Sequence, residues 1–204
     1  MASVSTRRLG TERSETRARL IDAAKQILRE EGWAALTARR IGEEVGLTRH
    51  IVHYYFGTMD DLLVALIRHE GEQVRERLLA SLQVEDPLRV IWELGSHATP
   101  LTYEIVGMAM RREAVRAELV RHGQEFRVAI AHALERQLES RGLKPTISPR
   151  AITLIVESIS QTIAVERALD NDLGHTETLA LVESWIGDFS QHGGGAALTL
   201  RPKR

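Results

Sequence analysis

Histidine is the residue type in this sequence that first suggests chemistry, because eight histidines occur and cysteine is absent. His50 and His53 lie three positions apart, a spacing that is compatible with metal ligation from one helix. The sequence nevertheless contains no His-Glu-x-x-His motif, no thiolate ligand and no glycine-rich phosphate loop. We therefore expect no catalytic residue, no metal site and no cofactor, and an all-α enzyme is the weaker functional alternative.

The segment between Leu36 and Phe56, which contains this histidine pair, gives a stronger signal. Thr37 is suited to cap one short helix and Thr48 a second, and Gly46 between them supplies the left-handed residue of a tight turn. Gly42 is expected where the two helices cross, because a larger side chain would push them apart. Helices this short are marginal alone and must pack on a third helix. The pattern predicts a helix-turn-helix.

A longer stretch around this motif, residues 15–63, resembles the DNA-binding head of the TetR family of transcriptional regulators. An apolar first helix precedes the motif, and a long helix follows it. The matching positions are Gly32, Leu36, Thr37, Ile41, Gly42, Val45, Gly46, Leu47, Thr48, Tyr55, Phe56, Asp60, Leu62 and Leu63. The resemblance implies a sequence-specific DNA-binding regulator, most simply a repressor that a small molecule releases from its operator.

The resemblance also implies which side chains meet double-stranded operator DNA. Seven residues are expected there, and they are Thr37, Arg39, Thr48, Arg49, His50, His53 and Tyr54. Residues 48–50 would face base edges, and His53 and Tyr54 would lie near phosphates. Arg39 and Arg49 have the best chemistry for sequence readout, because a guanidinium can donate two hydrogen bonds to the O6 and N7 atoms of guanine.

Three positions depart from the family pattern. His50 stands where a small residue is usual, His53 where tyrosine is usual, and Met59 where a lysine commonly contacts phosphate. The third change removes one expected cationic contact with DNA, whereas none of the three alters the expected fold.

The rest of the chain predicts an all-α fold of about nine helices. A mobile arm up to Arg13 would precede a first helix at Ser14–Glu31, and Asp60 or Asp61 would open a long helix. Later helices would begin at Asp86-Pro87, Thr99-Pro100, Ser148-Pro149 and near Thr176. The expected organisation is an arm and helix-turn-helix domain at 1–59, a ligand-binding and dimerisation domain at 60–192 and a disordered tail at 193–204.

The last two long helices are expected to hold two copies of the chain together. Glu157 is the only charged residue between Ala151 and Val165, so that helix needs cover on most sides. The resemblance implies that the last two helices pair with their copies in a homodimer. The interface residues expected are Ile152, Ile155, Ile159, Ile163, Val182, Trp185 and Phe189. A monomer that uses these residues as its core is the alternative.

By resemblance, the middle helices would house a pocket for a small, largely apolar effector. The candidate lining residues are Trp92, His97, Tyr103, Met108, Met110 and Phe126, although each also suits a plain core. The alternative is an architectural DNA-binding protein without an effector. An apolar cavity in the middle helices, or binding to one operator rather than to any duplex, would separate the two.

Composition agrees with a soluble DNA-binding protein. The net charge is −1, but residues 1–56 carry an excess of three positive charges and the remainder an excess of four negative charges. A basic head suits a polyanionic partner. The N-terminus has no apolar signal region, and no apolar run approaches the roughly 18 residues of a membrane helix. We expect a cytoplasmic protein with no membrane partner.

Overall fold

The computed structural model describes residues 3–83, 86–95, 100–145 and 147–192, and it contains helices but no strand in this part of the chain. The helices are α1 (Ser3–Glu31), a 3₁₀ helix (Trp33–Ala35), α2 (Ala38–Val45), α3 (Arg49–Tyr55), α4 (Met59–Ser81), α5 (Pro87–Gly95), α6 (Pro100–Ala109), α7 (Glu113–Ser140), α8 (Pro149–Ala168) and α9 (His175–His192). The predicted all-α fold with an N-terminal helix-turn-helix is confirmed for the described residues.

Three helices begin at the prolines that the sequence indicated. Helices α5, α6 and α8 have Pro87, Pro100 and Pro149 as their first residues. Proline suits this position because its fixed φ is helical and its missing N–H would have no partner in the first turn. At α5, the Asp86 carboxylate also accepts a hydrogen bond from the backbone N–H of Leu88 at 3.0 Å.

Two helix starts differ from the sequence-based expectation. Helix α1 begins at Ser3, so the segment expected as a mobile arm is helical. Residues 3–13 contain no proline that would interrupt a helix. Helix α4 begins at Met59, where the backbone N–H of Thr58 donates to the Asp61 carboxylate at 2.9 Å and the N–H of Asp61 donates to the Thr58 hydroxyl at 3.1 Å. This reciprocal cap fixes the start of α4.

The chain divides into two compact units, neither of which is continuous in sequence. The first comprises Met1–Gln73 and Thr99–His122, and the second comprises Val74–Ala98 and Gly123–Arg204. Thus α6 and the first part of α7 group with the helix-turn-helix, whereas the sequence suggested a division near residue 60. The domain assignment from the sequence stays a prediction, and its tail at 193–204 lies outside the described residues.

The core of the first unit joins the helix-turn-helix to the helices around it. Leu20, Ile27 and Leu28 of α1 are buried there together with Ile41 of α2 and Val52 of α3. Further members come from α4, α6 and α7, and they are Leu62, Leu63, Leu66, Ile105, Met108, Ala109 and Val115. The two short helices are therefore held by a core that extends well beyond their own contacts.

The second unit has a separate core. Its buried residues include Leu88 and Ile91 of α5, Ile130 and Leu134 of α7, and Val156 of α8. Helices α5 and α8 approach closely at Gly95. A Cβ added to this glycine would overlap the hydroxyl of Ser160.

None of the helices in the described part of the chain is both long enough and apolar enough to span a membrane.

Candidate nucleic-acid interface

The turn between α2 and α3 is built on two glycines. Gly46 has φ 71° and ψ 30°, the left-handed conformation that a side chain disfavours. A Cβ at Gly42 would lie 2.6 Å from the carbonyl oxygen of Leu47 and 3.3 Å from the backbone nitrogen of Arg49. The N–H of Leu47 donates to the carbonyl of Gly42 at 2.8 Å. Close approach of backbone to backbone thus sets the angle between the helices, as the sequence predicted for Gly42.

One face of the α2–α3 pair is fixed by burial. Ile41, Val52 and Phe56 are almost completely buried in the first core. Half-buried Val45, Leu47, Ile51 and Tyr55 pack against the same core. The other side chains of α3 are exposed, and they are Arg49, His50, His53 and Tyr54.

The outward face carries the residues predicted to meet DNA. All seven side chains are exposed, and they are Thr37, Arg39, Thr48, Arg49, His50, His53 and Tyr54. Thr37 caps α2 by accepting a hydrogen bond from the N–H of Arg40 at 3.1 Å. Thr48 precedes α3 as expected, but its side chain makes no capping hydrogen bond. Its hydroxyl is therefore left for another partner. Contact of these residues with DNA stays a prediction.

The two arginines of this face differ in their surroundings. Arg39 donates a hydrogen bond to the Glu43 carboxylate at 2.7 Å. This hydrogen bond, together with the negative charge of Glu43, raises the pKa of Arg39. Arg49 has no ion pair among the described residues. To contact a base, Arg39 would first have to leave the Glu43 carboxylate, whereas Arg49 would have no ion pair to break.

Two other arginines, which are not among the predicted DNA-binding residues, hold the motif in place. Arg40 of α2 donates to Glu31 at the end of α1 at 2.6 Å and to Glu44 at 2.7 Å. Arg19 of α1 donates to the last carbonyl of α2, that of Val45, at 3.0 Å. The four-residue spacing of Arg40 and Glu44 is visible in the sequence, but the contacts with α1 depend on how the helices pack.

The residues predicted to line an effector pocket do not share one cluster. Met108 is buried in the first core, while Trp92 is buried in the second core with half-buried Phe126 against it. Tyr103 and Met110 are exposed on or next to α6, and His97 lies outside the described residues. The pocket assignment stays a prediction that the described residues do not draw together.

A cavity of about 460 Å³ instead opens within the second unit. It is lined by Leu82, Gln83, Asp86, Pro87, Ala133, Arg136, Gln137 and Arg141. The Gln137 amide N–H donates to the Asp86 carboxylate at 2.8 Å, while its buried amide oxygen has no partner. This cavity therefore offers mostly polar contacts.

The residues predicted for a dimer interface fall into two groups. Ile152, Ile163, Val182 and Phe189 are buried in the second core of the chain itself. They have almost no surface to offer a second copy, because helical spacing places them toward their own subunit. Ile155 is 36% exposed, and Ile159 and Trp185 are half-buried, so these three remain available to a partner.

Two short helices on a common core, with a tight glycine turn and an exposed polar face on the second helix, define a DNA-binding helix-turn-helix protein. Residues 20–66 match the family of bacterial regulatory proteins known as the tetR family. The HTH-type transcriptional regulator Mb3439c of Mycobacterium bovis is 31% identical over 154 residues, which are 69% of this chain and 80% of that protein. The chain belongs to the TetR family and is a DNA-binding transcriptional regulator.

Two further proteins are similar over most of their length. The HTH-type transcriptional repressor AcnR of Corynebacterium glutamicum is 23% identical over 185 residues, 87% of this chain and 95% of the relative. The crystal structure of the transcriptional regulator FadR from Bacillus subtilis in complex with stearoyl-CoA matches with a TM-score of 0.61 at 17% identity. The match covers 86% of this chain and 98% of FadR. This last likeness shows the fold alone.

Proposed function

We propose that this regulator is a homodimeric repressor that binds a two-fold symmetric operator and leaves it when a small molecule binds to the second unit. The observation that carries the proposal is the division of α3 into a buried side and an exposed polar side. Val52 is buried, while Arg49, His50 and His53 are exposed on the same short helix. An exposed helix end with an unpaired arginine suits the major groove. Such a protein acts in the cytoplasm, where bacterial DNA lies.

A dimer follows from the small size of the reading surface. Helix α3 has seven residues and reaches only a few base pairs, so two copies are needed to read a full operator. Exposed apolar side chains on α8 and α9 favour those helices as the interface. These are Leu154 at 46%, Ile155 at 36% and Leu181 at 49% exposure, with half-buried Ile159 and Trp185.

The effector of this proposal has polar as well as apolar groups. The cavity at the end of α4 has two arginines, Arg136 and Arg141, and one carboxylate, Asp86, in its lining. This lining favours a more polar molecule than the largely apolar one that the resemblance implied. The ligand acts only if it binds the DNA-free state more tightly.

The test is selection of duplexes from a random library by the full-length protein, followed by footprinting. The proposal expects an enriched sequence with dyad symmetry, occupied by two chains per duplex. Enrichment of a single asymmetric half-site bound by one chain would contradict the dimer. Equal retention of all duplexes would point to the architectural alternative.

A further inference from the structure

The connection between α6 and α7 makes an unusual contact with the helix-turn-helix. Its last residue, Arg112, places its guanidinium carbon 4.4 Å from the centroid of the Trp33 ring. The same guanidinium donates to the carboxylate of Asp60. One side chain thus joins two residues that are far apart in sequence, and both partners lie within the first unit.

The two partners of Arg112 bracket the DNA-reading motif. Trp33 begins the 3₁₀ helix that leads into α2, and Asp60 lies in the first turn of α4, shortly after α3 ends. Arg112 therefore contacts one residue that precedes the motif and one that follows it.

The residues around Arg112 support a firm attachment. Ile105, Met108 and Ala109 of α6 and Val115 of α7 are buried in the same core as the motif. Nearby, Arg68 of α4 donates to Glu118 of α7 at 2.9 Å. The connection that carries Arg112 is consequently anchored on both sides.

Arginine suits this position better than lysine. Its planar guanidinium can lie against an indole ring while its edge N–H groups donate to a carboxylate. A lysine would keep the charge, but its single ammonium group could not contact the indole ring and the carboxylate together with the same geometry.

We infer that Arg112 is a positioning residue for DNA binding, so that the α6–α7 connection completes a DNA-reading unit that residues 1–59 do not form by themselves. The inference rests on the proposed binding of an operator. Without Arg112, the motif would spend a smaller fraction of time in the geometry that fits the major groove. The apparent affinity for the operator would fall in proportion to that fraction. Contacts with single phosphates need less exact geometry, so binding to random duplex would fall less.

Neighbouring Arg111 provides a matched control, because it is exposed and has no side-chain partner among the described residues. Arg111→Gln and Arg112→Gln remove the same charge one residue apart. We expect Arg112→Gln to weaken binding to the selected operator by roughly five- to tenfold, the scale of one cation–π contact and one ion pair. Arg111→Gln should leave the affinity unchanged, and Arg112→Lys should fall between them. Circular dichroism at the assay temperature checks that each variant is folded.

A double-mutant cycle tests whether Arg112 acts through Asp60. The variant that carries both Asp60→Asn and Arg112→Gln should bind the operator no more weakly than Arg112→Gln alone, because the shared contact is already lost. Equal affinities for Arg112→Gln and Arg111→Gln, or fully additive losses in the cycle, would overturn the inference.

A second readout does not depend on the operator. In amide NMR spectra of the full-length protein, Arg112→Gln should shift resonances of residues 33–60, including α2 and α3, and Arg111→Gln should not. Shifts confined to the neighbours of Arg112 in sequence would overturn the inference even if no operator were found. Failure of the wild-type protein to select any duplex, with the NMR shifts present, would count against the proposed function alone.

Discussion

The helix-turn-helix and the α8–α9 pair use similar apolar residues in very different ways. In the helix-turn-helix, Ile41 and Val52 are buried, as the sequence predicted, and Arg49 is exposed, as the family resemblance implied. In α8 and α9, Ile152 and Ile155 were both expected at an interface, yet the first is 1% exposed and the second 36%. A polar side chain on a short helix can face only solvent or a ligand, because burial without a partner is costly. An apolar residue on a long helix can serve the core of its own chain or the surface of a partner.

The largest expected effect on stability comes from a substitution in α8 of a residue that belongs to the core, compared with one that is exposed to a partner. Ile152→Asp would bury an unpaired carboxylate in the second core and should cost more than about 4 kcal/mol, enough to unfold the protein. Ile155→Asp should leave the helical circular dichroism spectrum intact and weaken the dimer by about tenfold or more. The measurements are urea unfolding and analytical ultracentrifugation.

If Ile155→Asp unfolds the chain as readily as Ile152→Asp, then Ile155 belongs to the core and the assignment of Ile155 to the interface is contradicted. A folded Ile155→Asp variant with unchanged dimer affinity would move the interface away from this face of α8.

A smaller effect is expected from a single methyl group in the first unit. Gly42→Ala would press Cβ against the carbonyl of Leu47 and should destabilise the protein by about 1–3 kcal/mol. Gly107→Ala is the control, because Gly107 is also helical but has open space around it. That substitution should gain up to about 1 kcal/mol from helix propensity. Thermal unfolding of both variants measures the difference, and similar effects of the same sign would show that Gly42 is not at a tight crossing.

The smallest expected effect on stability concerns the buried carboxylate of Glu118. The hydrogen bond from Arg68 lowers the pKa of Glu118 from 4.5 to about 2, and Arg121 adds to the shift. Because the pKa in the folded state is below that in the unfolded state, the stabilisation is complete above pH of about 4.5 and is lost as the pH falls toward 2.

Glu118→Gln should therefore cost roughly 1–2 kcal/mol at pH 6, less than the full shift implies because the exposed Arg68 is screened by water. The stability difference from wild type, measured by urea unfolding, should shrink between pH 5 and pH 2.5. A difference that is constant over this range would mean that the ion pairs of Glu118 do not contribute.

The sequence predicted the helices well, and it predicted less well whatever depends on long-range packing. Pro87, Pro100 and Pro149 marked helix starts because their effect is local. The exposure of Arg49 at the start of α3 agrees with what the family resemblance implied. In contrast, the contact of Arg112 with Trp33 and Asp60 joins residues that no short pattern relates. Trp92 and Met108 were grouped as one pocket because both lie in the middle helices that the resemblance implied would house it, although the fold places them in separate cores.

The most direct test of sequence-specific DNA binding through α3 is the affinity of Arg49→Ala for the selected operator and for a random duplex of equal length at the same salt concentration. Arg116→Ala is the control, since it removes an exposed arginine elsewhere in the first unit. We predict that Arg49→Ala loses about 1–3 kcal/mol on the operator and little on the random duplex, while the control changes neither. Equal losses of Arg49→Ala on both duplexes, or no loss on the operator, would contradict readout of bases by this helix.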